Sequence, residues 1–285
     1  MTTPIPTTDI HTAVREHYGQ IAEKFVPKQQ ASCCGPSGAS VSCCGNGTTA
    51  ADVELAIYET EDIHELPEEV TGLSLGCGDP ITLAQLQPGQ TVLDLGSGGG
   101  IDCFLAAKKV GPGGQVIGVD MTPAMLEKAR ANKAKVNATN VDFRLGEIEH
   151  LPVADSSVDV IISNCVINLS PDKPQVFGEA FRVLKSGGKL AVSDIVTDGP
   201  LPEAVKASLS AWAGCVAGAW EAAAYLAALR DAGFADVSLT PQYFSDEMVT
   251  EAKSQLELEG IDLKNMPGEN LQKTVFSARI TARKP

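Results

Sequence analysis

Short apolar runs recur along the chain at 91–95, 115–119, 141–145, 158–163 and 188–194, with another at 274–283. Each has the length and composition of a buried strand. Between them lie stretches with helical spacing, near 101–110, 122–137 and 173–185. Strand, helix and strand repeating in this way predict βαβ units and a parallel, doubly wound α/β sheet. Gly187-Gly188, after Leu184-Lys185, reads as a helix C-cap turn feeding the next strand. Ahead of this region, residues 9–26 carry a helical stripe (Ile10, Val14, Tyr18, Ile21, Phe25) with Asp9 as N-cap. Residues 28–50 are rich in Ser, Gly and Cys without periodicity and read as a mobile loop. Past residue 200 an Ala-rich helical pair, 202–218 and 220–232, precedes a mixed tail. The expected organisation is an N-terminal helix and Cys-rich segment over 1–70, a sheet domain over 71–200 and a smaller C-terminal α+β region over 201–285.

The most informative turn in this pattern is Val92-Leu-Asp-Leu-Gly-Ser-Gly-Gly-Gly100. A strand breaks into glycines and a helix follows at once. Such turns permit positive φ and let a ligand approach the backbone closely. The spacing Asp94-x-Gly96-x-Gly98-x-Gly100 departs from G-x-G-x-x-G. It resembles motif I of the class I S-adenosylmethionine methyltransferases, whose Rossmann-like sheet the chain is expected to share. Candidate cofactor-binding residues follow from it: Asp94, Gly96, Ser97 and Gly98 in the turn; Asp120 for a ribose diol and Met121 against an adenine; Gly146, Glu147 and Ile148 at the adenine edge; and Asn164 at the end of its strand, where open α/β sheets bind ligands.

A net charge of −14 argues against a nucleic-acid partner. No run of 18 apolar residues is present, so no membrane span is expected, and residues 1–10 lack the features of a secretory signal. The expectation is a cytoplasmic monomer whose eight cysteines remain thiols rather than a disulfide framework. Cys103, inside a helix that faces the sheet, reads as core. Cys77 lies in Gly-Cys-Gly, Cys165 at a strand end on the ligand edge, and Cys215 at a glycine-softened helix end. Three thiols from remote segments converging on one cleft would make a soft three-coordinate site; their wide separation is unlike the C-x2-4-C spacing of structural zinc. The pairs Cys33-Cys34 and Cys43-Cys44 have no apolar context and are open to a soft metal, a metalloid or a redox bridge.

At these residues the chain resembles the arsenite S-adenosylmethionine methyltransferases. The resemblance runs from about 55 to 285 and is carried by Leu73-Ser-Leu-Gly-Cys-Gly-Asp-Pro80, the glycine turn through Cys103, Gly118-Val-Asp-Met-Thr122, Ser163-Asn-Cys-Val-Ile-Asn-Leu-Ser170 and the surroundings of Cys215. It implies that Cys77, Cys165 and Cys215 bind trivalent arsenic and that S-adenosyl-L-methionine supplies the methyl group. It further implies that glutathione or thioredoxin serves as reductant, and that arsenite or its thiol conjugates are the substrate. An N-terminal cysteine of that family pairs with the one matching Cys77; here the role is open among Cys33, Cys34, Cys43 and Cys44. The alternative readings are a methyltransferase acting on a carbon or oxygen nucleophile, with Glu147 and His150 the candidate bases, and a thiol-rich sensor without turnover.

Overall fold

The computed structural model describes residues 7–26, 58, 61–73, 76–201, 206, 217–244 and 274–285. Its elements are α1 (Thr7–Lys24), a 3-10 turn (Glu61–Glu65), α2 (Glu68–Thr71), α3 (Pro80–Ala84), β1 (Thr91–Leu95), α4 (Ile101–Val110), β2 (Gln115–Asp120), α5 (Pro123–Lys135), β3 (Val141–Leu145), β4 (Val158–Asn164), a 3-10 turn (Ile167–Leu169), α6 (Lys173–Val183), β5 (Leu184–Thr197), β6 (Trp220–Glu221), α7 (Ala222–Asp231), β7 (Ala235–Gln242) and β8 (Val275–Arg283). The strand order is β3-β2-β1-β4-β5-β8-β7, with β6 paired to the end of β5. The first five strands are parallel, and β8 runs antiparallel between β5 and β7.

The near-continuous apolar runs are explained by burial on both faces, as parallel strands with helices on either side require. Because successive side chains point to opposite faces, Leu93 and Leu95 of β1 join Ile161, Leu190, Phe177 and Tyr225 in one core cluster. Val92 turns the other way and joins Val160, Ile162, Phe104 and Leu126 under α4 and α5. Each such side chain contributes about 1.5–3 kcal/mol by leaving water.

Two expectations are revised here. Gly187-Gly188 do not cap α6, which ends at Val183; they lie within β5. The β4–β5 register is irregular there, the step between Val158 and Val160 spanning Leu184 to Lys189. The tail contributes β7 and β8 to the same sheet. In β7 nothing is fully buried, so an edge strand of ordinary polarity gave no apolar run to read. The anticipated helix at 202–218 lies almost wholly outside the described residues.

Strand order reverses direction between β1 and β4, and the crevice of an open α/β sheet forms at such a switch point, beyond the strands' carboxyl ends. Above it lies α1, with Ile10, Val14 and Ala22 buried. This helix packs against α5 and the Ile167–Leu169 turn.

Candidate active site

The crevice encloses about 900 Å³ including its mouth, and is lined by the glycine turn, Asp120, Met121, Thr122, Met125, Gly146, Ile148, Asn164, Cys165 and, from α1, His11, Val14 and Tyr18. Its floor is set by backbone geometry. Gly96, Gly98 and Gly100 have φ of +72°, +49° and +96°. The Gly96 and Ser97 amides both donate to the Val119 carbonyl, at 2.8 and 3.0 Å, tying the turn to the end of β2. A Cβ on Gly96 would run into the Val166 side chain, whereas one on Gly98 would meet nothing within 4 Å. Gly96 is therefore needed for packing, and Gly98 keeps the ligand side open.

Asp120, at the end of β2, accepts from the Gly98 amide at 2.9 Å and the Thr122 amide at 2.8 Å. Burial nonetheless raises its carboxyl above the ordinary aspartate range. Ser97 Oγ is buried with no hydrogen-bond partner among the described residues, and its side chain lines the crevice. A buried hydroxyl without a partner is costly unless a ligand completes it.

Of the ten sequence-predicted cofactor residues, Gly96, Ser97, Gly98, Asp120, Met121, Gly146, Ile148 and Asn164 line the crevice. Asp94 and Glu147 do not. Asp94 is buried beneath the turn, where its carboxylate accepts from the Cys103 thiol at 3.2 Å. Burial first, then the neighbouring Asp102, pushes it well above its usual range. Glu147 turns outward to Arg15 of α1 at 3.0 Å. From this loop it is Glu149 that lines the crevice, held by His11 Nε2 at 3.1 Å and by the Ser170 hydroxyl. A two-residue shift in a loop without periodicity left no signal to find it. Cys103 is fully buried, and burial pushes its thiol up.

The structure joins Cys77 and Cys165 in a disulfide, their Cα atoms 5.8 Å apart. This revises the expectation that all the cysteines stay thiols: the Gly76–Gly78 loop folds over the end of β4, and the two sulfurs meet. Here the partner of Cys77 is Cys165. Cys33, Cys34, Cys43, Cys44 and Cys215 lie outside the described residues. Cys165 has φ of +57° and donates its amide to Ser193 O at 2.8 Å. A side chain in the left-handed region is uncommon and clusters at functional sites.

Sequence reasoning also missed a network at the base of this loop. Asn164 Oδ1 accepts from the Cys77 and Gly78 amides at 2.9 and 3.2 Å. Its Nδ2 faces Gly78 O at 2.8 Å, Tyr58 Oη at 3.2 Å and Asp102 Oδ2 at 3.3 Å. Tyr58 donates to Asp102 Oδ1 at 2.9 Å. Burial is the largest influence on Asp102 and pushes it up to about 7, against the hydrogen bonds from Tyr58 and Asn164.

The sign of the consequence for stability is fixed. Below about pH 4 folded and unfolded chains both hold the Asp102 proton. Between about 4 and 7 the unfolded chain releases it while the folded chain keeps it, so stability falls as pH rises through that window. Urea unfolding at pH 5 and pH 7.5 should show the wild type losing more stability than Asp102→Asn; equal losses would refute the assignment.

Residues 86–263 match the methyltransferase domain family. The chain is 47% identical over 276 residues to an arsenite methyltransferase of Halobacterium salinarum, covering 95% of this chain and 66% of that protein. It is 35% identical to one from Aquipseudomonas alcaligenes, covering 87% of this chain and 67% of that one. The chain thus spans about two thirds of the length of these relatives. Among solved structures, an arsenic(III) S-adenosylmethionine methyltransferase from Chlamydomonas reinhardtii superposes with a TM-score of 0.62 at 34% identity, over 81% of this chain and 73% of that one. A phosphoethanolamine N-methyltransferase from Haemonchus contortus, at 19% identity and a TM-score of 0.59, shares the fold. The chain belongs to the methyltransferase domain family and groups within it among the arsenite methyltransferases.

Proposed function

We propose that the chain transfers methyl groups from S-adenosyl-L-methionine to thiol-bound trivalent arsenic. The observation that supports this reading best is the meeting of Cys77 and Cys165 at the crevice, which Cys165 lines. Neither Glu147 nor the exposed His150, the bases named from the sequence for a carbon or oxygen nucleophile, lines that crevice.

The donor fits the residues present: Ser97 Oγ awaits a partner, and Asp120 ends β2 at the crevice, where it would take the ribose hydroxyls. When bound, it supplies a methyl carbon made electrophilic by a sulfonium charge. The chain's own contribution is capture and alignment. Arsenic(III) is soft and prefers thiolate sulfur. Cys77, Cys165 and Cys215 would hold it with its lone pair free as the nucleophile, so no general base is needed. Alignment of reacting groups supplies on the order of 7–11 kcal/mol in favourable cases. The Cys77–Cys165 disulfide must first open: two molecules of glutathione, or one reduced thioredoxin, give up two electrons and two protons, yielding two protein thiols and one oxidised reductant. We read the enzyme as a monomer in the cytoplasm. Among the described residues no helix is long and apolar enough to cross a membrane.

The test is purified protein with methyl-labelled donor, arsenite and glutathione, comparing wild type with Cys165→Ser and Cys215→Ser. Label transferred only when arsenite is present, and lost in both variants, is expected. Arsenite-independent transfer would refute the assignment. The roof of the crevice gives a further prediction. Val14 is 1% exposed; Val14→Asp sets an unpaired charge there, lifting α1. Donor affinity measured by calorimetry should fall about tenfold or more; unchanged affinity would show that α1 does not cover the ligand.

A further inference from the structure

We propose that Asn164, backed by Asp102 and Tyr58, is a positioning residue that fixes where the Cys77 sulfur stands relative to Cys165 and ties the Cys77 loop to the helix behind the glycine turn. The inference deepens the proposed function by naming what builds its thiol site, but it can be tested without arsenic.

The Cys77 loop has little of its own to hold it. Gly76 and Gly78 flank the cysteine, and glycine surrenders more backbone freedom on ordering than any other residue. Its anchors come from elsewhere. Ser277 of β8 donates to Cys77 O at 3.0 Å. Asn164 takes both the Cys77 and Gly78 amides on one oxygen and returns a bond to Gly78 O. The fit is close, since a Cβ on Gly76 would collide with the Asn164 amide group. Asn164 is also the residue immediately before Cys165, so one backbone position carries one thiol and holds the other.

The direction of the amide is set by its neighbours. Both Asp102 oxygens accept here, Oδ1 from Tyr58 and Oδ2 from the Asn164 amide, and an amide offers both a donor and an acceptor end. Asp102 therefore draws Nδ2 toward itself, leaving Oδ1 for the Cys77 amide. Tyr58 holds Asp102 from its other oxygen. Asp102 lies in the first turn of α4, directly after the glycine turn, and lines the crevice. Loop, strand end and cofactor turn are thereby one hydrogen-bonded unit.

The arrangement makes an exchange experiment possible. Asn164→Asp keeps an acceptor for the Cys77 and Gly78 amides but sets a second carboxylate against Asp102. Combining it with Asp102→Asn restores a donor facing an acceptor, with the two side chains interchanged. The readout is the equilibrium between the protein disulfide plus two glutathione molecules and the protein dithiol plus oxidised glutathione, quantified by alkylation and mass spectrometry of the Cys77 and Cys165 peptides. It measures the effective concentration of the two thiols for each other. Asn164→Asp should lower it about tenfold, a size usual for coupled neighbours, and the double variant should recover most of that loss. An unchanged equilibrium in Asn164→Asp, or no recovery in the double variant, overturns the proposal. Should Asn164→Asp fail to fold, Tyr58→Phe removes one hydroxyl from the buried network; a fall of a few fold supports the proposal and no change overturns it. Arsenite binding to the reduced wild type is measured in parallel. Its absence would sink the proposed function and leave the exchange result to decide the role of Asn164 on its own.

Discussion

Cys165→Ser is expected to lower kcat/KM for arsenite by at least about a hundredfold, the scale on which a displaced reacting group costs rate, while donor binding and the melting temperature stay near those of the wild type when both proteins are reduced and the Cys77–Cys165 crosslink is open. The reasoning is local. Cys165 is 4% exposed, lines the crevice and meets Cys77. Serine has nearly the same shape, and the backbone there is already held by the amide bond to Ser193 O. What changes is the softness of the donor atom, and arsenic(III) discriminates strongly in favour of sulfur. A hydroxyl at that position would leave the metalloid one ligand short. Steady-state kinetics with arsenite, calorimetry with the donor and a thermal melt separate these effects. Retention of full arsenite-dependent turnover would remove Cys165 from the mechanism.

Substitution of Gly96 by alanine should unfold the protein more readily than the same substitution at Gly98. Two costs combine: φ of +72° disfavours a side chain, and the added Cβ runs into Val166. Together these amount to about 2–4 kcal/mol, a fall of roughly 5–15 °C in melting temperature. Gly98→Ala is the control. It bears a positive φ but meets nothing within 4 Å, so about 1–2 kcal/mol is expected. Its larger effect should be on the donor, because the new methyl group occupies the ligand side. Stability lost chiefly at Gly96 and affinity lost chiefly at Gly98 is the expected pattern. Equal melting temperatures for the two variants would show that the turn can shift to accommodate either.

Much of the sheet was legible because its signal is dense. Buried strands such as 91–95 and 158–163 are nearly continuous apolar runs, and a glycine turn followed by helical spacing has few other readings. Edge strand β7 was not legible, since with solvent on one side its sequence resembles a loop. Nor were α2, α3 and the Glu61–Glu65 turn, which are too short to show a period. At the site, the sequence pointed to residues beside strand ends and to thiols from remote segments, but not to the hydrogen bonds among Asn164, Asp102 and Tyr58. Met121 and Ile148 follow their strands directly and line the crevice. Asp94, named for the cofactor from its place in the motif, accepts instead from the Cys103 thiol behind the turn, a contact with no signal in the motif itself.

The amino-acid order alone determined the doubly wound sheet, the place of the crevice and the candidacy of Cys77 and Cys165, since each depends on periodicity, glycine geometry or sulfur chemistry within a few neighbouring residues. Only the tertiary structure decided that those two sulfurs meet across a sequence separation of 88, that Glu149 rather than Glu147 faces the crevice, and that Asn164 grips the Cys77 loop. Such pairings are fixed by how strands register and helices pack, and loop closure over long separations leaves no local pattern in the chain.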